Sequence, residues 1–161
     1  SPANVLTKTN RVLYTEMQRG MFVTMFYAIL DPSTGIANCA CAGHNPALLV
    51  RSAEAHWIRP SGIPLGHDAG PRFEERIGET PVELVPDDVF VIYSDGVTEA
   101  MNVWGEEFGE IRLAQVVTKH AASDAATIMQ AIKDEIYGFM GGQPQSDDIT
   151  IVVLKRESQP S

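Results

Sequence analysis

The sequence predicts an α+β protein with mostly antiparallel sheets. Two β-prone segments flank a hairpin turn at Asp31–Gly35, where Pro and Gly favour chain reversal. The continuous apolar runs Val89–Tyr93 and Ile149–Leu154 are typical of buried strands. Helical periodicity is confined to separate segments of the chain, and this segregation favours α+β over an alternating α/β sheet.

Length and composition are those of an ordinary globular domain with excess negative charge. The chain has 161 residues, of which 44% are hydrophobic and 20% charged, and its formal net charge is −9. This balance argues against nucleic-acid binding, because phosphate contacts rest on Lys and Arg. No apolar run approaches the ~18 residues that span a bilayer, so no membrane partner is expected. A cation or a protein partner remains compatible with the charge.

The first half is predicted as a helix followed by short strands. Ser1 can cap a helix running from Pro2 to Gln18, because Pro suits the first helical position. The predicted strands are Met21–Leu30, Ile36–Ala42, Ala47–Arg51, Ala55–Ile58 and, as an exposed strand of mixed polarity, Arg72–Ile77. Pro60–Gly66 is punctuated by Gly and Pro and is predicted as a loop.

The second half is predicted as two buried strands that enclose two helices. The helices run from about Glu110 to His120, and from near Ser123 to the Gly141-Gly142 stop. Residues 1–156 are predicted to form one domain, and residues 157–161 a frayed tail.

Cys39 and Cys41 lie two residues apart and would share one face of a strand. A bridge between them would be strained, so free thiols in a reducing, cytoplasmic environment are expected. A zinc site with His44 is a weaker alternative, because closed structural sites need four ligands.

Carboxylates lie at the ends of both buried strands. Asp95 follows the Val89–Tyr93 strand, and Asp147 and Asp148 precede the last strand. If these strands are antiparallel neighbours, about 4.8 Å apart, both acidic clusters meet at one sheet edge. Like charges repel there unless a cation lies between them, and oxygen ligands suit Mg²⁺ or Mn²⁺. A turn at Asp95 and a capped loop at Asp147 would explain the same residues.

Four segments resemble one known family, in the family's own order. Val91–Ala100 resembles the segment with a metal-binding Asp in PPM-type protein phosphatases, specifically the branch named for stage II sporulation protein E (SpoIIE). Ser146–Leu154 resembles the closing strand of that family, whose leading Asp is another ligand. Cys41–Leu49 matches the branch's Ala-Gly-His-Asn-Pro stretch, and Gly62–Gly66 matches a Gly-x-Pro-Leu-Gly loop.

The resemblance implies a PPM-type α-β-β-α sandwich, in which two central sheets are flanked by helices. It implies that Asp95 and Asp147 are metal ligands and that Asp148 supports them without binding the metal. His44 precedes Pro46 in a turn, so we expect its ring to satisfy the loop backbone rather than act as a general acid. Trp57 and Trp104 are expected to be packing residues.

The activity implied is metal-dependent hydrolysis of phosphoserine or phosphothreonine. In the family, two Mn²⁺ or Mg²⁺ ions acidify a shared water that attacks phosphorus. The usual substrates of the branch are phosphorylated anti-sigma-factor antagonists. The helix from Pro2 to Gln18 resembles the helix through which an N-terminal sensor or receiver domain switches such enzymes.

The family's domain begins with strands that carry a Gly-Asp stretch and an Asp-Gly motif, and no such segment precedes Ser1. The chain therefore resembles an N-terminally truncated domain, and we expect it to bind metal weakly while the parent protein is active. A non-catalytic binding or regulatory module is the alternative. Unpaired strand edges would favour a homodimer or poor solubility.

Overall fold

The computed structural model describes residues 1–157, so the predicted tail lies, apart from Glu157, outside the described residues. The chain divides into two compact units. The first consists of Ser1–Pro46 and Ile58–Leu84, and the second of Ala47–Trp57 and Val85–Ser161. In the described part of the chain, no helix combines the length and the hydropathy that a bilayer crossing requires.

The described residues contain five helices and seven strands. In chain order they are α1 (Pro2–Glu16), β1 (Met25–Asp31), β2 (Ile36–Ala42), β3 (Ala47–Arg51), β4 (Glu54–Ile58), α2 (Pro71–Arg76), β5 (Glu79–Glu83), β6 (Val89–Tyr93), α3 (Asp95–Thr98), α4 (Gly109–Lys119), α5 (Ala125–Met140) and β7 (Ile151–Lys155).

The first unit is built on a three-stranded antiparallel sheet in the order β1-β2-β5. The predicted hairpin turn joins β1 to β2: the Gly35 N–H donates to the Asp31 carbonyl over 2.8 Å, and Gly35 has a φ of +79°. Helix α1 packs on β1 and β2. The buried core of this unit contains Leu6, Ala40, Ala42, Leu65 and Phe73.

The second unit is built on a four-stranded sheet in the order β4-β3-β6-β7, and β6 pairs antiparallel with both of its neighbours. Helix α4 contacts β3, and α5 contacts β7. Helix α5 begins at the Asp124 cap, whose carboxylate accepts a hydrogen bond from the Thr127 N–H over 2.7 Å. It buries Ile128, Ile132, Ile136 and Met140 and ends at left-handed Gly141. The α+β class with antiparallel sheets is confirmed.

The predicted strand Arg72–Ile77 is wrong, because Pro71–Arg76 forms helix α2. Phe73 and Ile77 are four residues apart, which puts them on one face of a helix, and the Ile77 N–H donates to the Phe73 carbonyl over 2.9 Å. Strand β5 was not predicted, since it contains Pro81 and buries only Val82. Its place at the sheet edge tolerates that proline.

Several boundaries also differ from the prediction: α1 ends at Glu16 rather than Gln18, and the last strand begins at Ile151 rather than Ile149. Strand β1 begins at Met25 rather than Met21, and the chain before it makes only an isolated bridge between Val23 and Leu65. The short helix α3 was not predicted, and it begins at Asp95 itself.

Candidate functional site

Strands β6 and β7 are antiparallel neighbours, the condition under which the two acidic segments meet; β6 is buried as predicted, whereas β7 is only partly buried. Tyr93, the last residue of β6, lies opposite Ile151, the first residue of β7. The C-terminal end of β6 therefore lies beside the N-terminal end of β7, and we call this end of the sheet its acidic edge. This register brings the segment that carries Asp95 beside the segment that carries Asp147 and Asp148.

Ser94 connects these two segments through hydrogen bonds. Its N–H donates to the Thr150 carbonyl over 2.9 Å, and its Oγ accepts a hydrogen bond from the Thr150 N–H over 2.9 Å. The same Oγ donates to the Asp148 carbonyl over 2.8 Å. One small side chain thus extends the β6–β7 ladder past its last regular pair and fixes the backbone of the acidic segment.

Gly96 makes the contact between the segments still closer. A Cβ on Gly96 would lie 2.5 Å from the Asp148 carbonyl oxygen and 3.2 Å from that of Asp147. Real Cβ atoms do not approach an oxygen to 2.5 Å, so only glycine fits here without moving the backbone. The first turn of α3 therefore lies directly against the acidic pair.

The carboxylates at this edge are exposed, and two of them are fixed locally. Asp95 accepts a hydrogen bond from the Gly96 N–H over 3.0 Å, and Asp147 accepts one from the Asp148 N–H over 2.7 Å. Gln145 Nε2 donates to the Asp147 carbonyl over 2.7 Å. These bonds engage one oxygen, Oδ1, of each of Asp95 and Asp147 and orient both carboxylates.

The donor chemistry at the edge suits a hard divalent cation, but the set is incomplete. Carboxylate oxygens are the ligands that Mg²⁺ and Mn²⁺ prefer. Among residues 1–157, no group of three or more His, Cys, Asp or Glu side chains converges as a metal site would require. A metal site built on Asp95 and Asp147 would therefore need further ligands.

The thiols and His44 do not form a zinc site in this structure. Cys39 and Cys41 are free and buried, and their Sγ atoms lie near the carbonyl oxygens of Ala37 and His44 respectively. Burial raises the pKa of Cys39 to about 11 and also raises that of Cys41. Zinc binds thiolates, and these pKa shifts disfavour the thiolate. The Nδ1 of His44 lies 3.1 Å from the Asn45 carbonyl, within its own loop.

The other two family-like motifs meet in the first unit. A Cβ on Gly62 would lie 1.8 Å from the Cys41 carbonyl oxygen, and one on Gly43 would lie 2.5 Å from Cγ of Pro64. Gly43 also has a φ of +67°. The two motifs therefore pack backbone against backbone, which explains why glycine occurs in each.

The profile of the family described as Stage II sporulation protein E (SpoIIE) matches residues 1–157. The chain belongs to the SpoIIE family. Protein IcfG of Synechocystis is 30% identical over 95% of this SpoIIE-family chain, and the phosphoserine phosphatase RsbU of Bacillus subtilis is 28% identical over 97% of it. The chain spans only 24% of IcfG and 45% of RsbU.

A solved structure supports the fold of this SpoIIE-family chain. The SiaA-PP2C domain of Pseudomonas aeruginosa superposes with a TM-score of 0.83 at 20% identity, over 97% of this chain and 60% of that one. At this level of identity the likeness concerns the fold.

Sequence reasoning missed two residues of the site, Ser94 and Gly96, although both lie in the quoted SpoIIE-like motif. Their roles depend on what lies opposite them across the sheet, which the motif does not state. One packing prediction is wrong. Trp57 packs edge-on against Tyr93 with ring centroids 6.3 Å apart, whereas the side chain of Trp104 is 81% exposed.

Proposed function

We propose that this chain is part of a metal-dependent protein phosphatase that hydrolyses phosphoserine or phosphothreonine on a regulatory protein. The observation that carries the proposal is the junction at Ser94 and Gly96, which brings Asp95 and Asp147 to one sheet edge. Membership of the SpoIIE family supports the reaction class, as does the relative RsbU, which is a phosphoserine phosphatase.

In this proposal, Asp95 and Asp147 hold a divalent cation, Mn²⁺ or Mg²⁺. Asp148 supports them, because its N–H orients the Asp147 carboxylate and its carbonyl accepts the Ser94 hydroxyl. A divalent cation, when bound, supplies positive charge that makes water more acidic and offsets the charge of the phosphoryl group. A two-ion site needs more carboxylates than these two, so Asp95 and Asp147 are part of the ligand set.

The proposed substrate is a phosphorylated anti-sigma-factor antagonist, as the SpoIIE-branch motifs imply. We assign regulation to α1, whose apolar side packs on β1 and β2. An N-terminal sensor or receiver domain would act through this helix.

The metal assignment can be tested by titrating the full-length protein with Mn²⁺ and by assaying p-nitrophenyl phosphate. We expect Asp95→Asn and Asp147→Asn each to weaken Mn²⁺ binding by more than about tenfold and to remove metal-dependent turnover, because each removes a charged ligand. Glu135→Gln is the matched control, since it removes one negative charge at an exposed position of α5. If Asp147→Asn behaves like Glu135→Gln in both measurements, the assignment is wrong.

A non-catalytic binding or regulatory module is the second candidate. The observation that favours it is that no three metal-binding side chains converge within residues 1–157. The same assay separates the two candidates. Metal-dependent turnover that is lost in Asp95→Asn supports the enzyme, and absence of turnover in the full-length wild type supports the module.

A further inference from the structure

The turn that links α3 to α4 presents an exposed aromatic side chain. We name residues 101–107 the Trp104 turn; Met101 and Glu107 form an isolated antiparallel bridge at its base. Trp104 is 81% exposed and Val103 is 51% exposed, and Met101 is also exposed. Three apolar side chains exposed within four residues form a contiguous patch, and exposed apolar patches can mark interaction sites.

A buried amide fills the centre of the Trp104 turn and holds its backbone through hydrogen bonds. Asn102 is only 5% exposed, and its Oδ1 accepts hydrogen bonds from the N–H groups of Trp104 and Glu106, both over 2.9 Å. Its Nδ2 donates to the Glu106 carboxylate over 2.8 Å. The Gly105 N–H donates to the Asn102 carbonyl over 3.0 Å, with a φ of +78° at Gly105.

The base of the turn is attached to the core of the second unit. The Phe108 N–H donates to the Ala100 carbonyl over 2.9 Å, and the Phe108 ring is buried. Arg112 donates to the Phe108 carbonyl over 3.0 Å and lies 4.5 Å above the Phe139 ring. Trp104 is therefore held out from a fixed base. A turn whose backbone is already ordered loses little backbone entropy on binding, and tryptophan is enriched among the residues that anchor interfaces.

The turn lies next to both segments that lead to the acidic site. It follows α3, which begins at Asp95. On its other side, Cγ1 of Val103 lies 3.6 Å from the position that a Cβ on Gly141 would occupy. Gly141 ends α5, and the chain runs from there to Asp147. A protein that binds the Trp104 turn therefore contacts the chain next to the two segments that lead to Asp95 and Asp147.

We propose that Trp104, flanked by Met101 and Val103, is the anchor through which the chain docks its phosphoprotein substrate. This inference rests on the proposed phosphatase function. The partner is a folded protein with an apolar pocket rimmed by lysine or arginine. Four acidic residues surround the anchor in the sequence, and no Lys, Arg or His lies between the first of them and Arg112: these are Glu99, Glu106, Glu107 and Glu110. Opposite charge at the rim sets orientation and accelerates association.

Tryptophan fluorescence reports this docking without turnover. Residues 1–161 contain two tryptophans, so Trp57→Phe leaves Trp104 as the only indole of this 161-residue chain, and Asp95→Asn in the same protein blocks turnover. The probe is a serine-phosphorylated anti-sigma-factor antagonist. We expect it to shift Trp104 emission to shorter wavelength and to reduce acrylamide quenching several-fold. Failure of the phosphoprotein to bind, or binding with unchanged quenching, overturns the proposal. If acrylamide quenching of Trp104 instead decreases as the protein concentration rises, without any phosphoprotein present, the indole is covered by self-association and the docking proposal is wrong.

Kinetics provide the second readout, in protein that retains Trp57 and Asp95. We expect Trp104→Ala to raise KM for the phosphoprotein at least about tenfold, as for other aromatic anchors, while turnover of p-nitrophenyl phosphate is unchanged. Ile111→Ala is the control, because Ile111 is similarly exposed but lies on α4. Equal KM values for the two variants contradict the docking role. If the wild type does not turn over p-nitrophenyl phosphate, the phosphatase proposal fails, and the fluorescence experiment still decides whether Trp104 binds the phosphoprotein.

Discussion

At the scale of single residues, Gly96 is decisive because it has no side chain. Its neighbours leave no room for a methyl group, since the Asp148 carbonyl oxygen occupies the space where a Cβ would be. The Ser94 hydroxyl holds that carbonyl in place, so the acidic segment cannot move away without breaking a hydrogen bond. The geometry of the acidic edge is therefore set by two small residues that bear no charge.

Gly96→Ala is predicted to destabilise the protein by about 1–3 kcal/mol, because the added methyl group must displace the backbone at Asp148. The affinity for Mn²⁺ should also fall, because the same displacement moves the segment that carries Asp147, although no ligand is removed. Urea unfolding and Mn²⁺ titration of the same sample measure the two effects.

Gly138→Ala is the matched control for this prediction. A Cβ on Gly138 would meet nothing within 4 Å, and the residue lies inside α5. Alanine is favoured over glycine in a helix interior by up to about 1 kcal/mol, so this variant should be as stable as the wild type or more stable. Equal stability of the two alanine variants would show that the contact at Gly96 is not rigid.

At the scale of elements, α1 is joined to the loop before α2 through a buried amide. Asn10 is 1% exposed; its Nδ2 donates to the Asp68 carbonyl over 2.9 Å, and its Oδ1 accepts the Gly66 N–H over 2.8 Å. Gly66 is the last residue of the Gly-x-Pro-Leu-Gly motif. Asn10 thus positions that loop from the helix.

Asn10→Ala should lower the free energy of unfolding by about 1–2 kcal/mol, because it removes two hydrogen bonds and leaves the half-buried Gly66 N–H and Asp68 carbonyl without this partner. Asn4→Ala, the same substitution at an exposed position of α1, should change it by less than about 0.5 kcal/mol. Urea denaturation measures both variants. A loss at Asn10 no larger than that at Asn4 would mean that water replaces the amide at no cost.

The sequence predicts best those elements whose structure is determined by local residues rather than by contacts with distant parts of the chain. Val89–Tyr93 is apolar and β-prone throughout, and it forms β6 with the predicted bounds. Arg72–Ile77 contains only two apolar residues, Phe73 and Ile77, and one such pair is too little to distinguish a short helix from an exposed strand. Strand β5 is recognisable through its pairing with β2, because its own sequence contains a proline.

In the acidic site, too, some features can be predicted from local sequence and others depend on strand pairing. Local patterns alone indicate that Asp95 follows one strand and that Asp147 precedes another, although β7 begins only at Ile151. The contacts of Ser94 and Gly96 follow from the pairing of Tyr93 with Ile151, which neither strand specifies alone. Register is a property of two strands and their partners, so these contacts required the structure.

At the scale of the whole molecule, the buried thiols couple stability to alkaline pH. Burial raises the pKa of Cys39 from 9.0 to about 11, and that of Cys41 in the same direction. The unfolded chain therefore releases these protons at lower pH than the folded chain does. The free energy of unfolding is therefore unaffected by the ionisation of these thiols below pH 9, where they are protonated in both states. It falls as the pH rises from 9 towards 11, because only the unfolded chain then ionises them readily.

We expect the wild type to lose about 2 kcal/mol more stability between pH 9 and pH 11 than a Cys39→Ala/Cys41→Ala variant, since one pKa unit corresponds to about 1.4 kcal/mol. Tyrosine and lysine residues titrate in the same range, and the net charge of −9 becomes more negative, but both effects occur equally in the two proteins and cancel in the difference. Urea unfolding at a series of pH values measures this difference. Parallel stability curves would contradict the prediction, because they would mean that the thiols ionise in the folded sheet as readily as in the unfolded chain.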